Sequence, residues 1–178
     1  MAKHVWVRGL MLLAVALTAA AEDKSDKAST AAKNPGLERL KKLTGEWVAA
    51  DEQGKPTDRL ISVFKVTAAG SAVQETIFPG TGHEMVTLYH LDGSDLVLTH
   101  YCAMGNQPHL KADPKSPSNQ LHFVFAGGTN LNPAKDMHMH EGTITFIDDN
   151  HIAWSWVGYK DGKPVEGHKV DLKLVRKP

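Results

Sequence analysis

The chain has 178 residues, in which 20 lysine and arginine residues balance 20 aspartate and glutamate residues. A near-neutral protein lacks the basic patch that binding to phosphate backbones requires, so nucleic acid is excluded as the main partner. The only cysteine is Cys102. An internal disulfide framework is therefore excluded, and the fold must be stabilised by packing.

The first 21 residues have the three parts of a secretory signal peptide. Lys3 and Arg8 precede an apolar run over residues 10–17, and small residues follow over 18–21. The apolar run is about half as long as the roughly 20 residues of a transmembrane helix, which favours cleavage over an uncleaved membrane anchor. We therefore predict a periplasmic or secreted protein without a membrane span after cleavage. The mature chain would have about 157 residues and a formal net charge of −2, with 18 basic and 20 acidic side chains.

Residues 22–35 are predicted to form a flexible linker, because they are rich in alanine, serine, lysine and aspartate and have no apolar periodicity. A single domain over residues 36–178 follows. It begins with a short helix, for which Asn34 and Pro35 provide the start signal and Gly45 the stop signal. Leucines recur at helical spacing between these signals, at positions 37, 40 and 43.

From Trp47 onward, apolar and polar residues alternate with a period of two, which is typical of half-buried strands. Short turn motifs such as Asp92-Gly93 and Asp161-Gly162 separate the runs and predict antiparallel neighbours. The proline-rich stretch 105–119 is too long for a hairpin turn and is predicted to be a lid or rim loop. The fold class is all-β, an antiparallel up-and-down β-barrel of about nine to ten strands after one short helix.

The helix, the Gly45-x-Trp47 motif at the entry of the first strand, and Arg176 in the last strand together resemble the lipocalin-like β-barrel superfamily. The segment 76–110 is similar to exported bacterial lipocalin-like proteins of unknown function. This resemblance implies that Trp47 closes one end of the barrel and that Arg176 stacks over its ring. A related resemblance, to nitrobindin-like barrels, implies haem as an alternative ligand.

Histidine, cysteine and methionine residues are concentrated between His83 and His109. Which of them share a face depends on the length of the turn at Asp92-Gly93. An even number of turn residues would place His83 and Met85 with His100 and Cys102. Three turn residues would instead give the more apolar inner face, with His100 and Cys102 inside and His83 and Met85 outside. We favour the second arrangement.

A second group of candidate residues is Met137-His138-Met139-His140-Glu141. Strand alternation sends His138 and His140 to the face of Ile144 and Phe146, which we expect to be the inner face. Together with His100 they would form a three-histidine site, an arrangement that suits a catalytic zinc ion. The alternative is that these histidines are hydrogen-bonded residues of the core or rim.

Two functions from different classes follow. The first is a binding protein for a small apolar or amphipathic molecule, and the second is a metal- or haem-binding barrel that uses the histidine cluster, with enzymatic activity left open. A barrel filled by its own side chains is a third alternative. Neither a particular cofactor nor an oligomeric state is indicated. The predicted ligand-binding residues are Glu75, His100, Cys102, Asn106, Gln107, His109 and Trp154.

Two of these residues have alternative interpretations. Glu75 would have a raised pKa and could act as a general base if it faced the interior, but an outward position is the alternative. For Cys102 we favour a buried, unreactive thiol, and a ligand or a redox-active thiol is the alternative.

Overall fold

The structure is a computed structural model that describes Met1 and residues 34–177. The predicted signal peptide and most of the predicted linker lie outside the described residues. One helix, α1 (Pro35–Lys41), precedes the strands. The ten strands are β1 (Gly45–Ala50), β2 (Pro56–Thr67), β3 (Ala72–Ile77), β4 (Met85–Asp92), β5 (Asp95–Tyr101), β6 (Gln107–Ala112), β7 (Gln120–Thr129), β8 (His138–Phe146), β9 (His151–Lys160) and β10 (Lys163–Arg176).

The strands form one closed barrel in which each strand pairs with its neighbours in the chain and β1 pairs with β10. All pairs are antiparallel, so the predicted fold class is confirmed. Closure leaves no sheet edge with unpaired backbone groups. Across the described part of the chain, no helix is long and apolar enough to cross a membrane.

Helix α1 covers one end of the barrel, which we call the helix end. The side chain of Asn34 accepts hydrogen bonds from the backbone amides of Gly36 and Leu37, and Pro35 occupies the first turn, as the sequence predicts. Leu37 and Leu40 are fully buried against the barrel. We call the opposite end, formed by residues 78–84, 102–106 and 130–137, the far end.

The predicted contact between Trp47 and Arg176 is present. The guanidinium carbon of Arg176 lies 4.6 Å from the centroid of the Trp47 ring, and the two residues are cross-strand partners. Arg176 Nη1 and Nη2 also donate to the carbonyls of Thr44 and Lys42, at 2.7 and 2.8 Å. Trp47 Nε1 donates to the carbonyl of Leu43 at 2.7 Å. The last strand is thereby tied both to the first strand and to the end of the helix.

The register that we favoured for the β4–β5 hairpin is wrong. Asp92 pairs with Asp95, so the turn has two residues, and Gly93 adopts the left-handed conformation that such a turn needs. Because the turn has an even number of residues, Tyr89 lies opposite Leu98, and both side chains are buried. The inner face of β4 is therefore its odd-numbered residues, not Val86, Leu88 and His90.

The observed register also determines where His100, Met85 and His83 lie. His100 is buried, as predicted, although the turn differs from the one that we favoured. Met85 packs against the core and is not outside, whereas His83 is exposed.

The predicted lid over residues 105–119 is also wrong, because strand β6 occupies Gln107–Ala112. Pro108 is tolerated there because it lies beyond the last β5–β6 pair, Thr99 with His109, so its missing amide costs no bond to β5. The remaining loop, residues 113–119, lies at the helix end, where the carbonyl of Ser118 accepts a hydrogen bond from Arg39. It does not cover the far end of the barrel.

We predict that Trp47 and Arg176 are energetically coupled. In a double-mutant cycle with Trp47→Leu and Arg176→Ala, the coupling free energy of unfolding should be about 1 kcal/mol. The measurement is urea unfolding of the four proteins. A control cycle that pairs Trp47→Leu with Lys177→Ala should show no coupling, because the Lys177 side chain bonds to Glu46. Equal coupling free energies in both cycles would contradict a specific contact between Trp47 and Arg176.

Candidate functional site

A belt of buried polar side chains crosses the inner wall of the barrel from β2 to β5. Glu75 is the cross-strand partner of Thr87, and Thr87 is the partner of His100. Cross-strand partners on one face lie within about 5.5 Å of each other, so the three side chains form a row. Ser62 and Tyr89 flank this row, and all five residues are at most 1% exposed.

Glu75 has a hydrogen-bond partner on each carboxyl oxygen. Ser62 Oγ donates to Oε1 and the Tyr89 hydroxyl donates to Oε2, both at 2.7 Å. Burial raises the pKa of Glu75 to about 7, although both hydrogen bonds act to lower it. Burial and the charge of Glu75 also raise the pKa of Tyr89. Around neutral pH the carboxyl group therefore exists in both protonation states.

His100 is the end of the belt that faces the opposite wall. Its Nδ1 is 2.9 Å from Thr87 Oγ1, and its ring centroid is 5.3 Å from that of Trp156 on β9. Burial lowers the pKa of His100 to about 4, so the imidazole is neutral at physiological pH. Its Nε2 is buried and has no hydrogen-bond partner.

The opposite wall carries Trp154 and Trp156, whose rings meet edge to face with centroids 5.6 Å apart. Both indole nitrogens are buried without a hydrogen-bond partner. The Trp156 ring lies against the backbone of its cross-strand partner Gly142, where an added Cβ would be 2.8 Å from the ring. Glycine therefore lets Trp156 lie along the wall of the barrel.

These unpartnered atoms define the candidate site. Most buried side-chain polar atoms in proteins have a hydrogen-bond partner, because leaving one unpaired costs about 1–3 kcal/mol. Here His100 Nε2, Trp154 Nε1 and Trp156 Nε1 are all unpartnered, and adjacent rings connect the three side chains. The interior is thus equipped to hydrogen-bond a polar group that the protein itself does not provide.

The structure places three of the seven predicted ligand-binding residues in the interior: Glu75, His100 and Trp154. Glu75 faces inward, so the alternative that places it outside is wrong. Gln107 is partly exposed and bonds to the 129–130 segment. His109 is half-buried and alternates with two buried neighbours, which puts it on the outer face. These two side chains do not join the interior group.

Cys102 and Asn106 lie at the far end. Cys102 is half-buried, with its Sγ 4.0 Å from Met85 Sδ, and burial raises the pKa of its thiol. This environment favours the unreactive thiol form. Asn106 is buried, and its side-chain amide donates to the carbonyl of Met137 while its Oδ1 has no partner.

The three predicted metal-ligating histidines do not come together. His138 Nε2 is 2.9 Å from His140 Nδ1, but the nearest polar partner of His100 is Thr87. The His140 ring is stacked between Phe125 and Tyr159, with centroids at 4.8 and 3.8 Å. Within residues 34–177 no group of three or more histidine, cysteine or acidic side chains is arranged to hold a metal ion.

A β-bulge explains why the histidine prediction failed. The register of β8 against β9 shifts between Met139 and Glu141, so residues before the bulge change faces. Met139 pairs with Gly158 and packs against the core. Without the bulge, alternation from Ile144 would place His138 and His140 on that face and Met139 on the other.

A surface cleft of about 590 Å³ lies at the helix end, beside Arg39, Phe146 and Arg176. Its two arginines already have partners. The Arg39 guanidinium lies 3.8 Å from the centroid of the Phe146 ring and donates to the Ser118 carbonyl, while Arg176 holds Trp47 and the helix. We therefore place the candidate site in the interior.

The predicted ligand-binding residues do not include Ser62, Thr87, Tyr89 and Trp156. The directions of Ser62, Thr87 and Tyr89 depend on a register that the chain alone does not reveal, whereas Trp156 shares the face of Trp154 by strand alternation. The two-residue turn at Gly93 would have identified Thr87 and Tyr89, because it puts the odd-numbered residues of β4 on the face of His100.

A scan of the sequence against protein-family models finds no match, and a search of curated proteins finds no significantly similar sequence. The lipocalin-like assignment stays a prediction, with which the closed ten-stranded barrel is compatible.

We predict that Glu75 and His100 make opposite contributions to the pH dependence of stability. Burial raises the pKa of Glu75 from 4.5 to about 7, so its contribution to the free energy of unfolding falls as pH rises through that window. Burial lowers the pKa of His100 from 6.5 to about 4, so its contribution falls as pH drops through that window.

Glu75→Gln removes only the first of these effects. The unfolding free energy of the wild type relative to this variant should decrease by about 3 kcal/mol between pH 4.5 and 7.5. Urea unfolding at several pH values measures this difference. The exposed substitution Glu52→Gln is the control and should leave the pH dependence unchanged. A pH-independent difference for Glu75→Gln would show that Glu75 does not titrate as described.

Proposed function

We propose that this protein binds a small, largely apolar molecule inside the barrel and anchors its polar group at His100, Trp154 and Trp156. The observation that carries the proposal is the set of three buried, unpartnered hydrogen-bonding atoms on these connected side chains. A ligand that pairs with them would remove a desolvation cost of about 1–3 kcal/mol for each atom. Apart from the polar belt, the surrounding wall is aromatic or aliphatic, as in many ligand sites.

The dimensions of the barrel support this proposal. Eight strands already give an interior just wide enough for side chains or one small ligand, and the diameter grows with the strand number. This barrel has ten strands. Gly142 keeps the Trp156 ring against the wall, which reduces the volume that this large side chain takes from the centre.

The far end is the better route into the interior, because α1 and Trp47 close the helix end. Phe78, Met85 and Met139 at the far end are only partly buried, although they pack against the core. Methionine side chains are flexible and adapt to different shapes, so they can move aside for a ligand without breaking a strand.

The test uses residues 22–178 and the neutral fluorescent probe N-phenyl-1-naphthylamine. The wild type should bind this probe, and Gly142→Ala should weaken its binding by about tenfold, because the new methyl group pushes the Trp156 ring toward the centre. Thr143→Ala changes the next residue of β8, on the outer face, and should leave the affinity unchanged.

Thermal unfolding should accompany these titrations, because overpacking at position 142 is also expected to lower stability by about 1–3 kcal/mol. Trp156→Phe provides a second interior variant without overpacking and should change the affinity for the probe, because it replaces a ring that lines the interior. A wild type that does not bind the probe, or equal binding by all four proteins, would contradict a ligand site in the interior.

A further inference from the structure

We infer that the barrel selects a neutral molecule with a hydrogen-bond acceptor, such as a ketone, an aldehyde or an ester, and rejects carboxylates of the same length. This inference rests on the proposed function and adds the chemical class of the ligand. It depends on three features of the interior: which of the unpartnered atoms are donors, the absence of a buried lysine or arginine in residues 34–177, and the position of Glu75.

The first feature is the donor character of the site. An indole N–H can only donate a hydrogen bond, so Trp154 and Trp156 both require an acceptor from the ligand. His100 is neutral and carries one ring proton. When the Thr87 hydroxyl donates to Nδ1, that proton is on Nε2 and His100 becomes a third donor. A carbonyl oxygen, with two lone pairs, fits such a group of donors.

The second feature is the charge of the interior. The buried polar or charged side chains of the described chain are Ser62, Glu75, Thr87, His100, Asn106 and His138, and none of them is a lysine or an arginine. The two arginines of the helix end already bond to backbone carbonyls there. An anion in the interior would therefore lack a lysine or arginine partner, which makes its burial costly.

The third feature is Glu75, the only acidic side chain among these buried residues. It is separated from His100 by Thr87 alone along the row of cross-strand partners. The groups that face it are the neutral hydroxyls of Ser62 and Tyr89. When Glu75 is ionised, a carboxylate bound at His100 would place two like charges in one buried site, which disfavours binding further.

The experiment compares 2-undecanone with decanoate, two ligands of similar length, as competitors of N-phenyl-1-naphthylamine at pH 8. The ketone should displace the probe at a concentration at least about tenfold lower than decanoate. Trp154→Phe and Trp156→Phe each keep an aromatic ring and remove one donor. Each should weaken ketone binding by about fivefold and leave decanoate binding little changed.

Glu75→Gln tests the charge argument separately and should narrow the preference for the ketone by improving the binding of decanoate. His109→Ala, on the outer face, is the matched control and should change neither affinity. Decanoate that binds as tightly as the ketone, or ketone binding that does not respond to either tryptophan substitution, would overturn the inference while the binding function stands. Failure of the probe itself to bind would overturn the proposed function as well.

Discussion

The contacts of Arg176 hold the last strand of the barrel to the first strand and to the end of the helix. Its guanidinium group stacks on Trp47, donates to the carbonyls of Lys42 and Thr44, and belongs to the strand that pairs with β1. The guanidinium group of arginine is planar and has five N–H donors, so it can bond to carbonyls near the end of a helix while it stacks on an aromatic ring. The ammonium group of lysine cannot do both. Because β1 and β10 are brought together here, all ten strands gain two neighbours, and the interior is shielded from water.

That shielding gives the interior belt its chemistry. In contact with water, Glu75 and His100 would titrate near their ordinary pKa values, and unpartnered indole groups would be hydrated. Burial instead moves the pKa of Glu75 up and that of His100 down, so that both neutral forms are accessible near physiological pH. A folded protein keeps such costly groups inside only if packing elsewhere offsets them, and the large apolar core provides that packing.

Much of the fold could be predicted from the sequence because it follows from local rules. Asn34 and Pro35 start the helix, alternation produces strands, and the resemblance of the Trp47 motif implied the contact with Arg176 that the structure shows. Glu75 is a candidate because it is a titratable residue within an apolar strand, and His100 because it belongs to the segment rich in histidine, cysteine and methionine. The sixth strand was not predicted because the prolines of residues 105–119 make that stretch resemble a loop, although Pro108 lies where β5 no longer pairs with β6.

The remaining parts of the site depend on single-residue shifts that no local rule determines. A two-residue turn at Gly93 decides that Thr87 and Tyr89 face inward, and a bulge before Glu141 moves His138 and His140 away from the face of Ile144. Because the side-chain period of a strand is two, each shift moves a whole set of residues to the other face. The predicted metal site did not form because of the bulge, whereas Thr87 and Tyr89 join the interior belt only once the length of the turn is known.

We propose that the two interior tryptophans donate hydrogen bonds to a ligand, and NMR of their indole protons tests this proposal directly. Residues 22–178 contain three tryptophans, Trp47, Trp154 and Trp156. On addition of 2-undecanone, the indole proton resonances of Trp154 and Trp156 should move downfield as they acquire an acceptor. The Trp47 resonance should stay in place, because its proton is already bonded to the carbonyl of Leu43. Three unchanged indole resonances at saturating ketone would contradict this account of the interior.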